Sequence, residues 1–114
     1  MAISSDAAIG GYEGWAVYGS AKAALDLAYA TLANEEPHLR FYSVDPGDMN
    51  TEMHHAATPD DPGPLRDPAD VAQVLTLFLV DIASQRYPSG SRLIVCDGQS
   101  GLQLQGGPRS GQGQ

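Results

Sequence analysis

Three short apolar runs alternate with two helical patterns along this chain, and this order constrains the fold more than any other feature. The runs cover residues 1–5, 39–44 and 92–96, and the helical patterns begin near Tyr18 and after Asp67. Strands that alternate with helices form parallel sheets with right-handed crossovers. The sequence therefore predicts an α/β fold, a partial Rossmann-like, doubly wound parallel sheet in the order strand, helix, strand, helix, strand.

The two helical patterns differ in how they end and in what they bury. Residues 18–36 precede Pro37 and carry a broad apolar face. The recurring positions are Ala21, Ala24, Leu25, Leu27, Ala28 and Leu32. We expect this helix to be buried on two sides, against the sheet and a further element. The second helix has Asp67 as its N-cap and Pro68 at its first position. Its predicted core stripe consists of Val71, Leu75, Phe78 and Ile82.

The number of strands predicts that the chain is a portion of a larger unit. Only three strands are available and the first is a stub, whereas a parallel sheet needs both faces covered. We expect residues 1–98 to form this portion of a domain. Residues 99–114 contain five glycines and five glutamines, a composition typical of a disordered tail.

Charge and cysteine content exclude several classes of function. Six basic and 14 acidic side chains give a net charge of −8, which argues against nucleic acid or an anionic membrane as the partner. The single cysteine, Cys96, excludes an internal disulfide framework and a Cys-rich zinc site. The sequence has no long apolar run, and no signal segment follows Met1. We therefore expect a soluble, cytoplasmic protein.

Tyr18 and Lys22 are the first candidates for chemistry. They stand at positions i and i+4 of the first helix, so their side chains share a face. An ammonium group beside a phenol favours the phenolate and makes the tyrosine a usable acid or base. This spacing also arises often by chance, so an ordinary surface pair is the alternative. Ser5 ends the first strand, where open α/β sheets place reactive groups, although a plain strand-end serine is again the alternative.

The segment after the second strand is the next candidate. Pro46 and Gly47 form a turn that lets backbone approach a flat ligand, and the Thr51 hydroxyl lies within reach of an amide or phosphate. A plain turn explains Pro-Gly equally well. Residues 45–66 contain four prolines and no clear period, as functional lids or disordered segments do. His54 and His55 lack the spacing of metal ligands, and we expect them to be solvated loop residues with no metal site.

Taken together, these motifs resemble the C-terminal half of a short-chain dehydrogenase/reductase over residues 1–98. The resemblance rests on Ser5, on Tyr18 to Lys22, on Pro46-Gly47 followed by Thr51, and on Ser89-Gly90 followed by Cys96-Asp97-Gly98. It implies a Rossmann fold and an NAD- or NADP-dependent oxidoreductase. Such an enzyme transfers hydride between the nicotinamide and a small carbonyl or alcohol substrate.

The resemblance also implies residue roles. Tyr18 is similar to the catalytic acid/base, Lys22 to the residue that favours its phenolate and holds the nicotinamide ribose, and Ser5 to the serine that orients the substrate carbonyl. Pro46, Gly47 and the Met49 backbone correspond to the nicotinamide-lining segment. Thr51 corresponds to the carboxamide or phosphate contact. Residues 52–66 fall where the family has its variable substrate lid.

The family's N-terminal half, with its glycine-rich phosphate loop and its selector for NAD or NADP, has no counterpart in the sequence. Gly10, Gly11 and Gly14 neither follow a full strand nor open a helix, so they cannot replace that loop. We therefore expect this truncated chain alone to be inactive. The alternatives are a non-catalytic association module, complementation by a separate N-terminal half, and a start upstream of Met1. The resemblance further implies a homo-oligomer through the helix that carries Tyr18 and Lys22.

Overall fold

The computed structural model describes residues 1–82, 86–96 and 101–106. A four-stranded sheet contains β1 (Ala2–Ile3), β2 (Ser43–Asp45), β3 (Arg92–Val95) and β4 (Leu102–Gly106), in that spatial order. The helices are α1 (Ala16–Glu35), α2 (Glu52–Ala57) and α3 (Pro68–Val80), and a 3-10 helix covers Asp6–Ala8. In these described ranges no helix is long and apolar enough to cross a membrane.

The pairing of the first three strands confirms the predicted α/β class. β1 pairs in parallel with β2, and β2 pairs in parallel with β3, with Val44 opposite Leu93. Each parallel connection contains a helix, α1 in the first and α3 in the second. The order strand, helix, strand, helix, strand therefore matches the sequence prediction.

β4 corrects the prediction of a disordered tail. Residues 102–106 form an antiparallel strand against β3, so the ordered domain continues past residue 98. Leu102 and Leu104 alternate with glutamines, which is a strand period that the glycine content obscured. Pairing with β4 satisfies the backbone groups along the outer edge of β3. The rest of the predicted tail, residues 99–100 and 107–114, lies outside the described residues.

One face of the sheet holds the apolar core, and α3 covers it. The buried cluster consists of Tyr42, Val44, Val71, Leu93 and Val95. The predicted stripe of α3 contributes Val71 to this cluster, and Leu75, Phe78 and Ile82 pack against it. As predicted, Asp67 caps the helix by accepting a hydrogen bond from the Ala69 N–H at 2.9 Å.

The opposite face, toward α1, is polar and closely approached by small residues. Side chains alternate along a strand, so Ser43, Asp45 and Arg92 lie opposite the apolar cluster. Only Gly19 and Ala30 of α1 are buried, so the described chain does not itself supply the expected cover on the second side of this helix. Small side chains let α1 lie close to its neighbours, and its outer side has no apolar cover in the described chain.

Residues 45–66 are more regular than their prolines suggested. Thr51 caps α2, accepting a hydrogen bond from the His54 N–H at 3.1 Å. Farther on, Arg66 forms an isolated parallel bridge with Met49, so the segment returns to the end of β2. Residues 52–66 are therefore a short helix followed by a tethered loop.

Candidate active site

A cavity of about 540 Å³ opens where β1 and β2 end. Its walls come from the end of β1, the 3-10 helix, the start of α1, the segment after β2, and α2. All seven site residues predicted from the sequence line it: Ser5, Tyr18, Lys22, Pro46, Gly47, Met49 and Thr51. Its volume lies in the range of small-molecule sites in proteins. Chain segments distant in sequence thus meet around one space.

Lys22 lies close to Tyr18 and to the end of β1. Its Nζ is 5.8 Å from the centre of the Tyr18 ring and donates a hydrogen bond to the Ile3 carbonyl at 2.9 Å. The Tyr18 ring makes an edge contact with Trp15 at a centroid distance of 5.4 Å and is 37% exposed. The phenol is therefore open to a ligand, while the ammonium group is anchored beside it.

Ser5 lies at the junction between β1 and the 3-10 helix. Its Oγ accepts a hydrogen bond from the Ala7 N–H at 3.1 Å and donates one to Asp6 at 3.3 Å. Its carbonyl accepts a hydrogen bond from Arg92 at 2.7 Å. Ser5 thus serves as a helix cap in this structure, as its strand-end position allows.

Gly47 stands at the turn after β2, with φ at +77°, in the left-handed region that favours glycine. The sequence predicted a close backbone approach here, and the structure shows a protein group that occupies the space. A Cβ on Gly47 would lie 2.8 Å from the Arg66 guanidinium. That guanidinium donates hydrogen bonds to the carbonyls of Pro46, at 2.8 Å, and Val95, at 2.6 Å. Arg66, which sequence reasoning missed, therefore anchors the turn to β3.

His54 contradicts the expectation of a solvated loop histidine. It belongs to α2, lines the cavity, and has a side chain only 16% exposed. Its Nε2 lies 2.8 Å from an Asp61 carboxylate oxygen and 3.1 Å from the Thr58 hydroxyl. Neighbouring His55 is exposed, with Nε2 2.6 Å from the Asn50 side-chain oxygen. The sequence carried no signal for the His54–Asp61 pair, because these two residues are separated along the chain and belong to no recognised motif.

Two titrating groups at the cavity are shifted by their hydrogen bonds. The Gly63 N–H and then His54 stabilise the Asp61 carboxylate and lower its pKa below the ordinary value. The Tyr12 hydroxyl donates a hydrogen bond to Asp6 at 3.0 Å, and this bond, together with the charge of Asp6, raises the pKa of Tyr12. No group of three or more potential metal ligands occurs within the described part of the chain.

The charge of the cavity wall is mainly negative. Its carboxylates are Asp6, Asp45, Asp48 and Asp61. Lys22 is the one lysine or arginine among the described residues that line it. Ser89, Gly90 and Cys96 lie outside this lining, whereas Asp97 and Gly98 are not among the described residues. The positive charge at the site is therefore concentrated beside Tyr18.

The parallel strands, the crossover helices and the cavity at the strand ends define part of a Rossmann-like α/β domain. The chain belongs to the short chain dehydrogenase family, which it matches over residues 1–62. The resemblance noted from the sequence is thereby confirmed at the level of the family.

Several curated proteins and solved structures are similar to this chain. Sepiapterin reductase of Xenopus laevis is 44% identical over 55 residues, and so is the Mus musculus enzyme; each match covers 48% of this chain and 21% of the relative. A short chain dehydrogenase of Shigella flexneri 2a complexed with NADP superimposes with a TM-score of 0.67 at 29% identity. That match covers 81% of this chain and 38% of the other. The chain thus matches about a fifth of the reductases' length.

Proposed function

We propose that the cavity is the nicotinamide end of the active site of an NAD- or NADP-dependent oxidoreductase acting on a small carbonyl or alcohol. The observation that carries this proposal is the meeting of Ser5, Tyr18 and Lys22 with the Pro46–Thr51 segment around one cavity. Membership of the short chain dehydrogenase family supports it. The match to sepiapterin reductases makes sepiapterin a reasonable first substrate to test.

In the reducing direction, Tyr18 donates its phenolic proton to the substrate oxygen. When bound, the nicotinamide supplies the hydride that adds to the carbonyl carbon, so the products are an alcohol and the oxidised cofactor. Ser5 turns its hydroxyl from Asp6, to which it donates at 3.3 Å, and donates a hydrogen bond to the same oxygen, polarising the carbonyl. Lys22, whose ammonium group lies beside the ring, stabilises the phenolate left on Tyr18 until solvent returns a proton.

The residues present suit the nicotinamide end of the cofactor. Lys22 would hold the ribose hydroxyls, and the Thr51 hydroxyl would contact the carboxamide or a phosphate. The backbone of Pro46, Gly47 and Met49 would line the ring, since these residues border the cavity. A glycine-rich phosphate loop has no counterpart in the sequence. We therefore propose that the 114-residue chain alone binds the dinucleotide weakly and turns over slowly or not at all, because catalysis draws on that binding energy.

Trp15 provides the binding test, because it is the only tryptophan and it borders the cavity beside Tyr18. NADH and NADPH should each be titrated against Trp15 fluorescence, with Lys22→Met as the variant that weakens binding. Cofactor oxidation should then be followed with sepiapterin and simple ketones, comparing the wild type with Tyr18→Phe. We expect quenching that Lys22→Met weakens, and turnover, where present, that Tyr18→Phe abolishes. No quenching at millimolar cofactor, or measurable turnover that is equal in both proteins, would reject the proposal.

A second candidate, association through α1, is favoured by its uncovered apolar side. Val17 is 86% exposed and Leu27 is 50% exposed. We propose that this side binds a second copy of the chain or a complementing N-terminal half. Sedimentation should show concentration-dependent mass that Leu27→Glu abolishes. Leu39→Glu, at an equally exposed leucine outside α1, is the matched control. A monomer at all concentrations, for the chain alone and for the chain mixed with the N-terminal half of a relative, would count against association.

A further inference from the structure

Arg92 lies under the candidate active site without lining it. It begins β3, and its side chain is only 12% exposed, on the sheet face toward α1. Its guanidinium donates hydrogen bonds to the Ser5 carbonyl at 2.7 Å and to the Ser4 hydroxyl at 3.2 Å. Carboxylate oxygens of Asp26 and Asp45 lie 3.6 and 3.8 Å from it. One cation therefore contacts groups from the segment after β1, from β2 and from α1.

Each of these contacts leads directly to a proposed site residue. The Ser5 carbonyl belongs to the serine proposed to polarise the substrate. Asp26 stands one helical turn after Lys22, on the same face of α1. Asp45 immediately precedes the turn that contains Pro46 and Gly47. The three segments that carry site residues therefore share one buried anchor.

The hydrogen bonds from Arg92 to Ser4 and Ser5 provide a second connection to Lys22. The Lys22 ammonium group donates to the Ile3 carbonyl, and the next two residues, Ser4 and Ser5, accept hydrogen bonds from Arg92. A shift of Ser4 and Ser5 must therefore carry the acceptor of Lys22 with it. Arg92 is therefore linked to the Lys22 ammonium group indirectly, through residues 3–5 on one side and through Asp26 of α1 on the other.

The chemistry of this cluster suits positioning better than stabilisation. A buried ion network gains little over well-packed apolar side chains of similar volume. Moreover, Arg92 Nε and Asp26 Oδ1 are buried without a hydrogen-bond partner among the described residues. A planar guanidinium, however, presents five donors in a fixed fork and so sets the relative position of several acceptors. That is the property a multi-segment site requires.

We propose that Arg92 is a positioning residue that holds Ser5, Lys22 and the Pro46–Gly47 turn in register around the cavity. The proposal rests on the proposed function for the meaning of that register. The coupling between Arg92 and Lys22 does not depend on the proposed function, because it is present whether or not the chain turns over a substrate.

Lys22 is the only lysine in the chain, so its environment can be read without assignment. The full chain labelled with 13C at lysine Cε gives one side-chain signal. Arg92→Lys adds a second signal, so Arg92→Met and the milder Asp26→Asn are the variants to use. Arg40→Met is the matched control, because Arg40 is a part-buried arginine that binds Tyr42 and Tyr87 and does not line the cavity. Circular dichroism should establish that each variant is folded.

We expect the Lys22 signal to move toward that of free lysine in Arg92→Met and Asp26→Asn and to stay in place in Arg40→Met. An unchanged signal in the folded Arg92→Met or Asp26→Asn protein would overturn the proposal, and so would an equal movement in all three variants. If Arg92→Met does not fold, Asp26→Asn decides alone, because it keeps the guanidinium and most of the packing.

Turnover, where the wild type shows it, gives a second readout that stability alone would not move. A site misplaced by an ångström loses about 100-fold in rate. Asp26→Asn should therefore lower kcat by roughly 10- to 100-fold and also raise the cofactor KM, because Lys22 is proposed to hold the ribose hydroxyls. Arg40→Met should leave kcat within about twofold, because Arg40 lies outside the cavity and substitutions at separated sites act independently. A wild type that binds no cofactor would reject the proposed function, and the Lys22 signal would still decide the coupling.

Discussion

Gly19 lies where α1 comes closest to the 3-10 helix, and replacing it with alanine tests whether this approach is sterically required. A Cβ built on Gly19 would lie 2.6 Å from the Ala7 carbonyl oxygen. This neighbour is backbone rather than the end of a flexible side chain. The carbonyl must therefore retreat by most of an ångström before the contact becomes ordinary. Because Gly19 follows Tyr18, such a retreat also separates the phenol from Ser5, which caps the 3-10 helix.

Two effects of opposite sign decide the stability of Gly19→Ala. Alanine is favoured over glycine in a helix interior by about 1 kcal/mol. Overpacking of a close contact costs about 1–3 kcal/mol. We expect the steric term to prevail, because neither backbone can yield without moving a whole helix. The free energy of unfolding should therefore fall by up to about 2 kcal/mol.

The assay is urea unfolding followed by far-ultraviolet circular dichroism, with Gly11→Ala as the control. A Cβ on Gly11 would meet nothing within 4 Å, and this residue precedes α1 in the connecting loop. Its substitution should leave stability unchanged or raise it by about 0.4–1 kcal/mol. If Gly19→Ala were instead more stable than the wild type by about 1 kcal/mol, helix propensity alone would explain the result, and the steric argument would be refuted.

Three further predictions concern the turn after β2 and the two shifted titrations. Gly47→Ala should destabilise more than Gly14→Ala in urea unfolding: both glycines have positive φ, which costs a side chain about 1 kcal/mol, but only Gly47 faces a guanidinium. Equal losses would contradict that crowding. Folding lowers the pKa of Asp61, so the ionised carboxylate stabilises the folded state. This contribution is complete above about pH 4 and is lost as the pH falls through the folded-state pKa. Asp61→Asn should therefore flatten the acid limb of stability against pH, and an acid limb parallel to that of the wild type would exclude the effect. Asp6→Asn should lower the pKa of Tyr12 toward about 10, measured by phenolate absorbance, whereas an unchanged titration would mean that the hydrogen bond is absent in solution.

Elements whose signals are local could be predicted from the amino-acid sequence. The N-cap Asp67, followed by Pro68 and an apolar stripe, predicted α3 from a few neighbouring residues. Alternation of strands and helices predicted the parallel core of the sheet. The helical spacing of Tyr18 and Lys22 likewise predicted that both would face the same region.

Contacts that join distant parts of the chain could not be predicted in this way and are seen only in the folded protein. Arg66 reaches the Val95 carbonyl across 29 positions, and Arg92 reaches the Ser5 carbonyl across 87. No local sequence pattern predicts the partner of either arginine, because a guanidinium on a long side chain binds whichever acceptors folding brings within reach. β4 was missed for a similar reason, since its stability comes from pairing with β3 rather than from its own glycine-rich composition. Local propensity acts over a few residues, whereas strand pairing and buried charge depend on distances that exist only after the chain has folded.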